Sequence, residues 1–409
     1  MLTEIVLVVS ALPLLGVAVG PSALEVVNLP GLREPINFRH YSGFLNAAEG
    51  RLLHYWFMES QRSPSDDPVL LWMNGGPGCS SLVGVAMELG PFRIDPLGVN
   101  LTVNPFSWNK VANVIFLEAP AGVGYSYDPT GNNSTDDYKA TEDNYQAILD
   151  FFSKFPEFRK NEFYVTGESY AGIFVPLLTQ RLLLSNPLGI NLKGYVIGNG
   201  AVDFELHGKA ILFFAYYHGL FGDDLWNEVT SNCCNGSVSK ETCDFAWNTN
   251  DPACVNPSLF ETPNCYNQDN LLLYYNRRDV IEALHVEQSP HMWVPCSKTL
   301  NYTQQHLTVR EVVQQLAESG RLRGLIYHGD VDMACPFLGG DWFVRSLGYE
   351  PTSQYRMWHA GSVIAGFVQT FAKDITFVTV KGAGHMVPMD KPEESLQMIS
   401  NFLSRSSFE

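Results

Sequence analysis

The chain has 409 residues, enough for one large enzyme domain with an insertion or for two or three average domains. Apolar residues make up 45% and charged residues 17%, which supplies a sizeable core and excludes disorder, collagen and coiled coil. With 26 Lys and Arg against 43 Asp and Glu the net charge is −17, which speaks against nucleic acid as a partner and fits an acidic compartment or the cell exterior.

Residues 5–19 form an apolar run closed by small residues around Ala18, Gly20 and Ala23. The run has the length of a signal h-region and is short for a membrane span, so residues 1–23 are expected to be a cleaved secretory signal, although Glu4 stands where a basic n-region is usual. No later segment reaches ~18 uninterrupted apolar residues, so no membrane span is expected in the mature chain.

Six short apolar runs then end in glycine-rich turns that carry polar groups. Residues 69–73 end in Asn74-Gly75-Gly76-Pro77-Gly78, and 114–117 in Glu118-Ala119-Pro120-Ala121-Gly122. Residues 163–166 end in Gly167-Glu168-Ser169, and 195–197 in Gly198-Asn199-Gly200. Residues 325–327 end in His328-Gly329-Asp330, and 377–380 in Lys381-Gly382-Ala383-Gly384-His385. Helical patterns lie between them, at 138–152, 173–184 and 393–403. The alternation predicts an α/β fold with a mostly parallel sheet, whose ligand sits at the carboxyl ends of the strands. Residues 203–296 break the rhythm and read as a disulfide-rich cap inserted into a core of residues 24–202 and 297–409.

That cap holds Cys233, Cys234, Cys243, Cys254 and Cys265 before Cys296. Eight Cys in an exported chain favour a disulfide framework, and adjacent Cys233 and Cys234 should reach separate partners. No CxxC pair or HxxxH accompanies them, so neither a metal nor any other cofactor is expected. Glycosylation triplets at Asn100, Asn132, Asn133, Asn235 and Asn301 agree with passage through the secretory route.

Gly167-Glu168-Ser169-Tyr170-Ala171 lies between a predicted strand and a predicted helix, the setting of a nucleophile elbow, with Ala171 in place of a second glycine. A serine hydroxyl needs a base, and the base an acid partner. His385 and an aspartate of His328-Gly329-Asp330-Val331-Asp332 supply them in the chain order of α/β-hydrolases. Order alone does not choose between Asp330 and Asp332. The oxyanion hole is expected from the amide of Tyr170 and, in the first glycine loop, that of Gly76.

With these strings in place, the chain resembles the serine carboxypeptidase family. The resemblance rests on Trp72 to Ser81, Glu118 to Tyr127, Gly167 to Gly172, Gly329 to Cys335 and Gly382 to Pro388. It implies the α/β-hydrolase fold, with Asp332 as the triad acid. It further implies that Asn74, Gly75, Glu88 and Glu168 hold the free carboxylate of a peptide substrate. Two carboxyls can hold a third only by sharing protons, so acid pH should favour the reaction. The implied bridges are Cys79–Cys335, Cys265–Cys296, Cys233–Cys254 and Cys234–Cys243. Pro336 replaces the family's usual Asn, and the stretch between Cys265 and Cys296 is short. The implied activity is removal of the C-terminal residue from peptides through an acyl-enzyme, in the lysosome or outside the cell. An acyltransferase of the same fold and a protective scaffold are the alternatives, with a homodimer and lysosomal glycosidases as further partners.

Overall fold

The computed structural model describes residues 24–234, 238–239, 241–243 and 267–408. The expected signal, Asn235, Cys254 and Cys265 lie outside the described residues. In chain order the strands are β1 (His40–Asn46), β2 (Leu52–Met58), β3 (Val69–Met73), β4 (Phe92–Ile94), β5 (Leu101–Val103), β6 (Asn113–Leu117), β7 (Ser134–Asp136), β8 (Phe163–Glu168), β9 (Leu192–Gly198), β10 (Asn301–Thr303), β11 (Arg323–Gly329), β12 (Arg356–Ala360), β13 (Val363–Phe371) and β14 (Ile375–Val380). The helices are α1 (Leu82–Met87), α2 (Asp137–Lys154), α3 (Ala171–Leu184), α4 (Phe204–Tyr217), α5 (Asp223–Cys233), α6 (Asp269–Tyr275), α7 (Arg278–Ala283), α8 (Arg310–Glu318), α9 (Phe337–Ser346), α10 (Val387–Asp390) and α11 (Pro392–Ser404).

Ten strands form one sheet in the order β1-β2-β6-β3-β8-β9-β11-β14-β13-β12. The run from β6 to β14 is parallel, and antiparallel strands extend it at both edges. The six apolar runs of the sequence are these parallel strands. Burial on both faces makes such strands continuously apolar, and the alternate side chains divide between two cores. Leu71 and Ile115 face α2, α3 and α8, whereas Leu70, Trp72 and Phe116 face α1 and α11. Each such fully buried side chain is worth about 1.5–3 kcal/mol. This is the α/β-hydrolase architecture.

Between β9 and β11 none of the described residues joins the main sheet. The expected cap divides into two parts. α4 and α5 share a small cluster of their own, with Leu212, Phe213, Trp226 and Val229. α6, α7 and Trp293 instead join the core on the α1 side, where Leu271, Tyr274, Tyr275 and Val280 are buried. The chain then returns over residues 295–309, where β10 pairs in parallel with β7.

Candidate active site

β8 ends in Gly167 and Glu168, and Ser169 turns the chain into α3 with φ of 60°, a left-handed conformation that costs a non-glycine residue about 1 kcal/mol or more. Its neighbours hold the turn. Ser169 N donates to Gly198 O at 3.1 Å, and Ser169 O accepts from Gly172 N and Ala201 N, both at 2.9 Å. A Cβ on Gly167 would lie 2.5 Å from Met73 O and 2.7 Å from the Ala171 methyl. Ala171 therefore fits because residue 167 has no side chain.

Asp332 follows β11 and His385 follows β14, the strand beside it. His385 Nδ1 lies 2.9 Å from Asp332 Oδ2, which leaves Nε2 for a reacting group. Asp332 also accepts from Asn199 Nδ2 at 2.7 Å, Ala334 N at 2.8 Å and Cys335 N at 3.1 Å. Burial opposes its charge, but His385 and Asn199 outweigh that and hold its pKa at about 2. Burial likewise favours a neutral His385, yet the Asp332 carboxylate prevails and raises the imidazole above its ordinary value. Asp330, which sequence order left open beside Asp332, instead accepts from Gly382 N at 2.6 Å.

Asn199 was not singled out from the sequence. It sits at φ 41° in the turn after β9, and besides Asp332 it reaches Gly384 O at 3.3 Å. The signal was present as Gly198-Asn199-Gly200, one of six strand-end turns. β9 lies between the strands that carry Ser169 and Asp332, so its turn spans the interval between them.

On the other side of β8, the β3–β8 register places Met73 opposite Gly167, and so Asn74 next to Glu168. Asn74 Nδ2 donates to both Glu88 Oε1 and Glu168 Oε1, each at 2.9 Å. Glu88 is 0% and Glu168 3% exposed. Burial raises both carboxyls above their ordinary values, and Glu168 is raised further by Glu88 beside it. Glu88 Oε2 is buried without a hydrogen-bond partner among the described residues. Gly75 packs against Tyr170 N, and a Cβ there would lie 2.7 Å from Ser169 Cβ, so only glycine lets this loop approach the nucleophile turn.

Two expected disulfides are corrected. Cys79 pairs with Cys296, which excludes both Cys79–Cys335 and Cys265–Cys296. Ser80 N donates to Pro295 O and Ser297 N to Gly78 O, both at 2.8 Å, which sets the two cysteines face to face. Cys335 is a free, buried thiol whose pKa burial raises well above the usual value. Its sulfur, Asp332 and His385 offer ligand atoms within 4.8 Å of one another, but Asp332 is already committed to four donors. Cys234–Cys243 forms as expected. Cys233 is disulfide-bonded, and its expected partner, Cys254, is outside the described residues. Pro336 caps the start of α9, where its missing N–H is not needed. Asn132 and Asn301 are exposed, while Asn100 and Asn133 are half-buried.

The family model for serine carboxypeptidases matches residues 30–405. The chain belongs to the serine carboxypeptidase family. Among its relatives, the mouse (Mus musculus) lysosomal protective protein is 38% identical, with 95% of each chain covered. Serine carboxypeptidase ctsa-4.1 of Caenorhabditis elegans is also 38% identical, covering 95% of this chain and 94% of that one. The solved structure of Kex1Δp, a prohormone-processing carboxypeptidase from Saccharomyces cerevisiae, aligns with a TM-score of 0.76 at 22% identity, covering 94% of this chain and 96% of that one. The protein is thus a serine-type carboxypeptidase, a hydrolase acting on peptide bonds.

Proposed function

We propose that this carboxypeptidase works through Ser169, His385 and Asp332, with Asn74, Gly75, Glu88 and Glu168 holding the substrate's terminal carboxylate. His385 Nε2 takes the Ser169 proton as Oγ attacks the last peptide carbonyl. The amides of Gly76 and Tyr170 receive the oxyanion. The C–N bond breaks, the amine leaves with the proton from His385, and water then hydrolyses the acyl ester. The observation that carries this reading is the single Asn74 amide bonded to two buried carboxyls next to the nucleophile turn. A proton shared by that pair can bind a third carboxylate, which selects chain ends and favours acid pH.

The test uses an N-blocked dipeptide and its C-terminal amide at about pH 5, near the range in which carboxyls titrate. Release of the last residue from the free acid, with the amide a much poorer substrate, is expected. Equal turnover of both would remove the clamp from the reading.

The name of the mouse relative, the disulfides and the exposed Asn132 and Asn301 triplets support a lysosomal or secreted location. No helix among the described residues is long and apolar enough to cross a membrane. A homodimer and a glycosidase complex follow from the family resemblance alone, and gel filtration and co-purification test them.

A further inference from the structure

We propose that Asp137 is a positioning residue for the oxyanion hole, fixing Tyr170 to the segment that returns from the excursion. This rests on the reading of Gly76 and Tyr170 as the oxyanion donors. Asp137 opens α2 and is 0% exposed. Its Oδ1 accepts from the hydroxyls of Tyr170 at 2.8 Å and Tyr302 at 2.6 Å. Its Oδ2 accepts from Gln305 N at 2.7 Å, His306 N at 2.8 Å and His306 Nδ1 at 3.2 Å. Burial opposes the charge, but the donors prevail and its pKa is lowered, so the group stays ionised.

The far end of the Tyr170 ring is thereby anchored, and the ring packs edge-on against Tyr302 at 5.5 Å and Phe174 at 5.3 Å. At the other end of the residue, the carbonyl of Ser169 is held by two amides. Together these fix the plane of the Ser169–Tyr170 peptide, whose N–H must face the oxyanion. The returning segment is also tied to the other half of the hole through the Cys79–Cys296 bridge, three residues from Gly76. β10 pairs with β7 directly before Asp137. Both donor amides are therefore referenced to residues 296–306, and Asp137 is the link on the Tyr170 side.

An amide carries two N–H groups where this carboxylate offers only acceptors, so Asp137→Asn must turn a donor towards one set of partners. The intact protein is titrated with a phosphonate serine reagent, and kcat and KM for the N-blocked dipeptide are then expressed per labelled site. Asp137→Asn and Tyr170→Phe should each lower kcat on the order of tenfold or more with little change in KM, as misplaced catalytic groups do. The affinity of a peptide boronic acid should fall by the same factor as kcat/KM. The double variant should lose no more than Asp137→Asn alone. A role confined to folding would reduce the labelled fraction and leave kcat per site intact. Parental kcat per site in both single variants, or losses that multiply in the double variant, would overturn the proposal. If Asp137→Asn does not fold, Tyr170→Phe decides alone, since parental kcat there removes the anchor's role. A parent that fails to label at Ser169 would overturn the nucleophile assignment instead, and the proposal with it.

Discussion

Two sets of serine, histidine and carboxylate occur in this molecule, and the histidine–carboxylate spacing does not separate them. Beside Ser169, His385 lies 2.9 Å from Asp332. Some strands away, Ser42 Oγ lies 2.9 Å from His54 Nε2, and His54 Nδ1 lies 2.8 Å from Glu118 Oε2. The differences are access and backbone. Ser42, His54 and Glu118 are all 0% exposed, whereas the His385 side chain is 22% exposed and Ser169 is half-buried. Ser42 lies inside β1, and its hydroxyl donates to Leu284 O at 2.6 Å. Ser169 stands on a left-handed turn at the carboxyl end of β8. Glu118 is spent on structure, accepting from Tyr125 N and Trp293 Nε1, both at 2.9 Å, and from Ser80. The buried line thus braces the segments on either side of the Cys79–Cys296 bridge. The same three chemical groups make a catalyst only where a substrate can enter and the oxyanion has donors waiting.

The largest effect should separate the two serines. Ser169→Ala should lower kcat about 10⁵-fold or more, with the urea unfolding midpoint near the parent's. Ser42→Ala should do the reverse, keeping kcat while costing about 1–3 kcal/mol of stability, because His54 Nε2 loses its partner in a dry site. Kinetics and equilibrium unfolding on both variants check this, and a large kcat loss in Ser42→Ala would erase the distinction. Next in size, Glu118→Ala should cost about 3–5 kcal/mol, since it strands several buried donors at once. A change below 1 kcal/mol would mean that the buried line is not a brace.

The sequence shows the proposed catalytic line more readily than the buried one, for a physical reason. Six parallel strands are apolar on both faces, and each must stop abruptly at a glycine turn, so Ser169, Asp332 and His385 stand at visible punctuation. The antiparallel strands β1, β2, β12 and β13 carry weaker signals. Val363, Ile364 and Phe367 of β13 are exposed, so the strand has neither a clean alternation nor a continuous apolar run. Ser42 and His54 sit in two of these antiparallel strands, β1 and β2, and leave no motif. The contacts of Asn199 and Asp137 could not be read for a related reason, because each bonds through its side chain to residues more than 30 positions away. The partner of Cys79 and the free state of Cys335 could not be read at all, because pairing depends on which backbone segments run together.

A smaller contrast concerns histidines that surround the working one. His328 and His207 are buried, and His328 Nε2 and both nitrogens of His207 lack hydrogen-bond partners. Burial lowers His328 to about 4 and His207 to about 3. The groups facing them are Asp332, which favours their charge, and His385, which opposes it; Asp341 also faces His328, and His328 faces His207. Below the unfolded value of about 6.5 the unfolded chain binds more protons than the native one, so stability falls as pH falls. Each histidine should contribute about 1.4 kcal/mol of loss per pH unit from about 6.5 down to about 4. Unfolding of the His207→Asn/His328→Asn variant between pH 4 and 7 should show a flatter acid limb. A limb as steep as the parent's would assign the acid loss elsewhere.

The carboxyl pair should respond in the opposite direction. Glu168 is raised by burial and by Glu88, so it keeps its proton above the ordinary carboxyl range. The proposed clamp should therefore hold at acid pH and weaken as pH rises through the raised value. In that same window the native chain binds more protons than the unfolded one, so stability also falls with rising pH. Glu168→Gln supplies a permanent N–H donor and removes the titration. For the free-acid dipeptide it should flatten the fall of kcat/KM between pH 5 and 8, a difference on the order of tenfold at the alkaline end, the worth of a hydrogen bond to a charged group. The C-terminal amide should show little of this, because it brings no carboxylate to be repelled. A profile unchanged for the free acid would mean that His385, and not the carboxyl pair, sets the pH dependence. In that case the raised imidazole would predict activity climbing towards neutrality in parent and variant alike.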